Sequence, residues 1–254
     1  MNLKGNIFKV LKMTGIAVAI FGTIGFAEKK YEEKTLAGVS VEIENQYDNY
    51  FLDEHEIKTS LQNKDTNDFI GVPFAQLNLR ELETKLRHHK FVEEAQLFHD
   101  PKGNLTIKLH QSQPVARLLR PNNPDAYIGL QGQILPTSED FTARVMVITG
   151  SFVDTLALED LGASVRSRSY LELLHFIVAD PFWKAQIAQI EIDKKGEITL
   201  YPQLSKQYVE FGLPMQIEEK FKKMMIFYQQ ILPEKGWNTY EKVNLKYENQ
   251  IICE

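Results

Sequence analysis

The chain has 254 residues, of which 43% are hydrophobic and 25% are charged, a composition typical of an ordinary globular protein. Its formal net charge of −5 argues against nucleic acid as a partner, because phosphate binding requires a basic surface. The single cysteine, Cys253, cannot form an internal disulfide, so the folded part depends on its hydrophobic cores. The length suits one or two domains.

An apolar segment near the amino terminus determines the compartment in which the rest of the chain works. Residues 13–27 carry no charge, and the residues before them include three lysines and no acid. A helix over residues 7–27 would span about 31 Å, which matches a hydrocarbon core of roughly 30 Å. The basic flank places residues 1–12 in the cytoplasm and the polar bulk outside. The pattern therefore predicts a single-pass type II transmembrane helix at 7–27.

The alternative for this segment is a cleaved signal peptide, with Gly25, Phe26 and Ala27 as a small-x-small cleavage site. The apolar run is long and has no polar region before that site, which favours a retained anchor. Both interpretations place the bulk of the chain outside the cytoplasm.

Residues 36–112, which follow a mixed-charge stalk at 28–35, predict a small α+β unit. Three apolar residues alternate with polar ones in a first strand, and Asp53 is a good N-cap for the helix after it. A second helix is predicted over about 76–90, with leucines on one face. A hairpin follows, because alternating residues flank a turn-forming sequence at 100–103. The first strand is marked by Val39, Val41 and Ile43.

The order strand, helix, helix, strand, strand is that of the POTRA module, and motifs within it make the resemblance more specific. The run FVEEAQLFHDPKGNLTIKLHQSQPVARLL, residues 91–119, resembles the corresponding stretch of the FtsQ/DivIB cell-division proteins. Its ending, Gln113-Pro-Val-Ala-Arg117, matches the pattern that closes the POTRA domain in that family, and Gly71-Val-Pro73 resembles the family's G-x-P. The resemblance implies a POTRA domain at 36–112.

Residues 113–254 predict a mixed α/β domain built on an extended, antiparallel-type sheet, which corresponds to the carboxy-terminal β domain of the same family. The strand near Val145 and Val147 is apolar on both faces, which suits burial between layers. At 217–232 an aromatic and methionine stripe predicts a helix and indicates core packing rather than a cofactor site. Further predicted elements are a helix over 169–179 that ends at Asp180-Pro181, and strands near 187–192, 198–200 and 208–211.

The segment from Val243 to Ile251 is predicted to be the last strand, because alternate residues would share each of its faces. It resembles the closing motif of the FtsQ/DivIB family, with Asn244 where the family usually has aspartate and Lys246 where it usually has arginine. Lysine cannot reproduce the two-pronged contacts of arginine. The motifs follow the order of the family along nearly the whole chain, and they most resemble its Bacteroidetes branch.

No residue pattern points to catalysis. The six histidines show neither H-x-x-x-H nor H-E-x-x-H spacing, and the open alternative is a zinc site if His99 and His110 face each other across the hairpin. Cys253 has no basic neighbour that would make its thiol a nucleophile. The sequence contains no nucleophile elbow and no phosphate-binding loop. It therefore predicts a binding protein that is not an enzyme and needs no cofactor.

The sequence predicts that the chain acts by offering the edge of a sheet, because a terminal strand has open backbone donors and acceptors that can pair with a partner's strand. The resemblance implies that the partners are FtsB- and FtsL-like bitopic proteins of the divisome, bound at the septum on the periplasmic side of the inner membrane. It also implies a part in assembling and regulating the septal peptidoglycan synthase. The predicted contact residues are Leu245, Lys246, Tyr247, Glu248, Asn249 and Ile251, with Tyr247 as the anchor.

Two other functional classes remain open at this point. An exported assembly factor or chaperone for envelope proteins can also carry a POTRA module, although such proteins usually have several repeats or a large barrel. A secreted hydrolase with an unrecognised site is the other alternative. Position in the cell separates the first from a division protein, and incubation with peptidoglycan tests the second.

Overall fold

The structure is a computed structural model that describes residues 13–16, 18–19, 21–23, 34–45, 49–61, 70–100 and 102–254. The chain divides into two compact units. The first unit comprises Met1–Asn45 and Leu52–Gln111, and the second comprises Gln46–Phe51 and Ser112–Glu254.

The predicted membrane helix at 7–27 lies only partly within the described residues. The described part, which falls within 13–23, is helical. Among the residues that the structure describes, no helix combines the length and the apolar character needed to cross a bilayer. The anchor therefore stays a prediction. The predicted tail at 1–12, and all of the stalk at 28–35 except its last two residues, lie outside the described residues.

From residue 34 onward, the described part of the first unit contains a three-stranded sheet and two α-helices. Its elements are β1 (Gly38–Glu44), α1 (Glu54–Leu61), α2 (Leu79–Arg87), β2 (Val92–His99) and β3 (Asn104–Gln111). β3 is the central strand, parallel to β1 and antiparallel to β2. Leu105, Ile107 and Leu109 are fully buried along β3. The predicted POTRA order is confirmed.

Side chains that cap the backbone explain where the helices of the first unit begin. Asp53 Oδ2 accepts the N–H of His55 at 3.2 Å, and α1 begins at the residue after Asp53, as predicted. α2 begins three residues later than predicted, because Asn78 caps it by accepting the N–H of Glu81 at 3.3 Å.

The alternative of a zinc site at His99 and His110 is wrong. In the register of β2 and β3, His99 lies opposite Leu105, while His110 lies opposite Glu94. His99 instead stacks on the ring of Phe74, with the ring centroids 3.9 Å apart, and burial lowers the pKa of its imidazole. Among the described residues, no three His, Cys, Asp or Glu side chains gather closely enough to hold a metal ion.

The second unit is built on one nine-stranded sheet. Its strands are β4 (Pro114–Leu118), β5 (Ala126–Gly129), β6 (Ile134–Pro136), β7 (Met146–Thr149), β8 (Ile187–Ile192), β9 (Ile198–Pro202), β10 (Tyr208–Gly212), β11 (Lys242–Asn244) and β12 (Ile252–Cys253). Its helices are α3 (Val153–Leu156), α4 (Val165–Ala179), α5 (Pro181–Gln186), α6 (Ile217–Ile226) and α7 (Leu232–Lys235). The strand order is β12-β11-β10-β9-β8-β7-β4-β5-β6.

The sheet is mixed, whereas the sequence predicted an antiparallel type. The pairs β4–β7, β7–β8 and β10–β11 are parallel, and the other pairs are antiparallel. A parallel neighbour requires a crossover connection. Helices supply it in two pairs, α3, α4 and α5 between β7 and β8, and α6 and α7 between β10 and β11, whereas β5 and β6 lie between β4 and β7. The carboxy-terminal edge of the sheet is therefore reached through α6.

One face of the sheet and the long helices enclose an aromatic core. The ring of Phe221 on α6 lies 4.7 Å from Phe176, 4.8 Å from Trp183 and 5.4 Å from Phe211, measured between ring centroids. Phe221 is buried, which confirms that the stripe on this helix is core packing. β7 was predicted to be buried on both faces. Met146 and Ile148, which share one face, are buried, but the side chains on its other face are half-buried.

The long helices differ in three ways from those predicted. α4 begins at Val165, because Ser164 and Ser167 form a capping box. It ends before Asp180 as predicted, but Asp180 also caps α5, which the sequence did not predict, by accepting the N–H of Phe182 at 2.8 Å. The predicted helix at 217–232 is interrupted by a π-helical turn, Phe227–Ile231, between α6 and α7.

Candidate functional site

The predicted strand from Val243 to Ile251 is wrong as a single element. The chain leaves β11 after Asn244, forms a loop at 245–251, and returns as β12, which pairs antiparallel with β11. Asn249 has a φ of 56°, a left-handed conformation that lies outside the extended region of a regular strand and that asparagine adopts more readily than most residues. Apolar and polar residues therefore alternate through a segment that is a loop, so the alternation did not indicate a strand here.

Polar side chains hold this terminal loop, residues 245–251, in place. Lys223 Nζ on α6 donates to the carbonyl oxygens of Leu245 at 3.1 Å and Tyr247 at 2.7 Å. Asn244 Oδ1 accepts the N–H of Lys246 at 2.9 Å, a contact that fixes the first bend of the loop. An amide oxygen at position 244 is sufficient for that bond.

A network of opposite charges lies beside the loop. Lys246 Nζ lies 3.3 Å from Glu197 and 3.5 Å from Glu210, and Lys242 Nζ lies 3.6 Å from Glu210 and 3.2 Å from Glu254. Partial burial acts to lower the pKa of Lys246, but the hydrogen bond to Glu197 and the two carboxylate charges raise it above its ordinary value. The hydrogen bond to Glu254 raises the pKa of Lys242. Both ammonium groups remain charged at neutral pH.

The six predicted contact residues all lie in the terminal loop, but not on one face of a strand. Leu245 is fully buried and belongs to the core of the second unit. The side chain of Tyr247 is 54% exposed, and its three neighbours in the loop are also exposed. Ile251 is half-buried where the chain re-enters the sheet. The exposed neighbours of Tyr247 are Lys246, Glu248 and Asn249.

Sequence reasoning missed that α6 lines one side of the site. A recess of about 640 Å³ lies between α6 and the terminal loop, and its walls include Lys220, Lys222 and Lys223 on one side and Glu248 and Ile251 on the other. The burial of Lys220 could have been predicted from helical spacing, because Lys220 lies four residues before the buried Met224 and hence on the apolar face.

Lys220 is a buried lysine whose ammonium group is held by two neighbours. Its Nζ donates to the carbonyl oxygen of Leu213 at 2.8 Å and lies 4.7 Å from the centre of the Phe211 ring. Burial, followed by the charge of Lys223, lowers the pKa of Lys220 to about 8. The group is therefore protonated at neutral pH and loses its proton far more readily than a surface lysine.

We expect this lysine to make the stability of the second unit depend on pH. The folded pKa of about 8 lies below the ordinary value of 10.5, so between these values the unfolded chain binds more protons and stability rises with pH. Relative to a Lys220→Met variant, the wild-type free energy of unfolding should rise by about 1–3 kcal/mol from pH 7 to pH 10. Urea titrations of both chains at each pH measure the difference, and a constant difference would contradict the assignment.

β12 is the outer strand of the sheet, and its free side is open among the described residues. Glu254 and Lys242 exchange both backbone hydrogen bonds, at 3.0 and 3.1 Å. In an antiparallel pair such residues alternate with pairs whose backbone groups face outward, so the N–H and C=O of Cys253, opposite Val243, face away from β11. Burial raises the pKa of the Cys253 thiol, which keeps it protonated and unreactive.

Comparison with known protein families agrees with this architecture. A family model described as FtsQ/DivIB, C-terminal related, matches residues 113–254, and a POTRA-like domain model matches residues 36–110. No curated protein matches the chain. Both families are scaffolding families rather than enzymes. Because the first match covers more than half of the chain, the chain belongs to the FtsQ/DivIB family, and its role lies in cell division.

Proposed function

We propose that this chain is a membrane-anchored divisome protein whose carboxy-terminal edge, β12 with the terminal loop, binds an extended segment of an FtsB- or FtsL-like partner. Binding there helps to assemble and regulate septal peptidoglycan synthesis. The anchor is the apolar segment at 7–27, and the two units work on the periplasmic side at the septum. The observation that carries the proposal is the open side of β12 in a member of this family.

The backbone of β12 supports strand addition. The outward N–H and C=O of Cys253 find no partner within the described part of the chain, and an added strand would pair with both. Main-chain pairing of this kind supplies affinity, while side chains beside the edge supply specificity. β12 has only two residues, which limits pairing with unrelated strands.

The terminal loop supports specificity. Tyr247 combines a large contact area with a polar tip, and more than half of its side chain is exposed. Glu197 and Glu210 hold the ammonium group of Lys246 in place. A partner that contacts this charge would therefore cause little further loss of side-chain entropy on binding. Leu245 supports binding indirectly, because its buried side chain attaches the loop to the core.

The test is co-purification of the full chain with the FtsB-like protein of the same organism. A Cys253→Pro variant removes the outward N–H together with the thiol, whereas Cys253→Ala removes the thiol alone, so the pair separates strand addition from side-chain loss. We expect Cys253→Pro to lower partner recovery at least tenfold and Cys253→Ala to leave it nearly unchanged. Equal recovery with both variants would rule out pairing at β12.

Two further measurements complete this experiment. Tyr247→Ala should weaken binding by about 2 kcal/mol, roughly thirtyfold, if Tyr247 is the anchor. A fluorescent fusion at the amino terminus should concentrate at midcell in dividing cells. A dispersed envelope signal would instead favour the assembly-factor alternative.

A further inference from the structure

A second recess in the second unit has a composition unlike the rest of this acidic chain. Its volume is about 840 Å³, and it lies where β4, β7 and β8 begin and where the chain leaves β9. Arg144 and Lys184 lie on its wall, and none of the described residues that line it is an aspartate or a glutamate. A basic recess on a chain of net charge −5 selects for anionic ligands. We call it the basic basin.

The two cations of the basic basin are available for a ligand. Both side chains are exposed, and within the described residues neither donates a side-chain hydrogen bond or joins an ion pair. By contrast, Arg117 and Arg120 nearby in the sequence are paired with Asp125 and Asp154. Two unpaired cations beside one recess therefore form a positive site that the protein itself does not neutralise.

Neutral polar groups in the basin match a peptide backbone. Gln113 and Gln203 line it on either side of the strand ends, and Asn49 and Thr142 complete the polar part of the wall. Carboxamides offer both a donor and an acceptor, which is what an extended peptide requires. A simple phosphate site would need donors alone.

An apolar strip runs through the same wall. It includes Phe141, Val145 and Val178, and Phe141 is held in position by edge-on contact with Phe51, whose ring centroid is 5.0 Å away. A fixed apolar surface between charged groups suits a ligand that alternates apolar and acidic side chains.

We propose that the basic basin binds a short acidic peptide segment of another protein, with its carboxylates on Arg144 and Lys184 and its apolar side chains on the strip. Charge complementarity selects the acidic partner, and the carboxamides and the strip select a peptide over a free anion. The basin is separate from the carboxy-terminal edge: β8 lies four strand positions from β12, about 19 Å across the sheet. A partner could therefore occupy each site at the same time.

The experiment measures binding of rhodamine-labelled pentapeptides to the full chain in detergent micelles by fluorescence polarisation. The peptides carry two glutamates separated by one, two or three residues, with leucine between them, and each has a glutamine twin. At least one glutamate peptide should bind at least tenfold more tightly than its twin, and its affinity should fall several-fold between 0.1 and 0.5 M NaCl. An Arg144→Gln/Lys184→Gln double variant should lose at least tenfold in affinity.

The matched control removes two charges at the opposite end of β8. Lys194→Gln/Lys195→Gln changes exposed lysines in the β8–β9 turn, and it should leave binding unchanged. Thermal melts verify that both double variants are folded. Three results would overturn the proposal: equal affinity for glutamate and glutamine peptides, equal loss in both double variants, or inorganic phosphate that binds as tightly as the best peptide.

Discussion

Replacing Leu245 with alanine should lower the free energy of unfolding of the second unit by about 2–5 kcal/mol. The side chain is fully buried in the core, so its removal leaves a cavity as well as losing the transfer free energy of the deleted methyl and methylene groups. The same change should weaken partner binding, because the loop that carries Tyr247 would lose its attachment to the core.

Urea denaturation followed by tryptophan fluorescence measures this effect selectively, since both tryptophans, Trp183 and Trp237, lie in the second unit. The control is Tyr247→Ala, two residues along the loop and mostly exposed, which should change stability by less than about 0.5 kcal/mol. A similar loss in both variants would show that Leu245 does not anchor the loop.

A Gly150→Ala substitution should destabilise the second unit by about 3 kcal/mol or more. Gly150 follows β7 with a φ of +104°, a conformation that side chains with a Cβ rarely adopt. A Cβ there would lie 2.2 Å from the carbonyl oxygen of Ile192, at the end of the neighbouring strand, and backbone cannot move aside as a flexible side chain can.

The chain supplies its own control for this prediction. Gly162 has open space around the place where a Cβ would lie, and its φ is outside the left-handed region. Gly162→Ala should therefore change the denaturation midpoint little or raise it slightly, through reduced entropy of the unfolded chain. Comparable destabilisation by both substitutions would contradict the steric argument.

The sequence predicted best those elements whose periodicity and turn chemistry agree. In the first unit, alternation along β2 and β3 and the turn sequence at 100–103 both indicate a hairpin. The turn forms because Asp100 Oδ1 accepts the N–H of Asn104 at 2.8 Å, a bond that also lowers the pKa of Asp100. Local and tertiary preferences coincide there, so a local pattern was sufficient.

Prediction failed where tertiary contacts override a local pattern. The parallel pairing of β10 with β11 depends on a crossover of some thirty residues, which periodicity does not specify. The terminal strand was predicted from alternation alone, but the conformation of Asn249 and the hydrogen bonds from Lys223 turn that segment into a loop.

Tertiary contacts also explain why the sequence indicated only part of the candidate site. Tyr247 and its neighbours lie in the loop beside the carboxy-terminal edge of the sheet, and their part in binding stays a prediction. The contribution of Lys220 was hidden, because it occupies a position on the apolar face of α6 that the helical pattern assigns to the core. Its ammonium group is satisfied by a carbonyl oxygen and an aromatic ring that only the folded chain brings together.

The π-helical turn at Phe227–Ile231 lies between two fully buried residues of the same helix, Met224 and Leu232. In a π turn one extra residue is accommodated without breaking the helix, so deleting a single residue, such as Gln229, would restore ordinary α-helical winding. Because the π turn holds one residue more than the α-helical turn that would replace it, the residues downstream would keep their rotation around the helix axis, and the fully buried Leu232 would still face the interior. The helix can therefore lose one residue at this turn without displacing the core contacts that follow it.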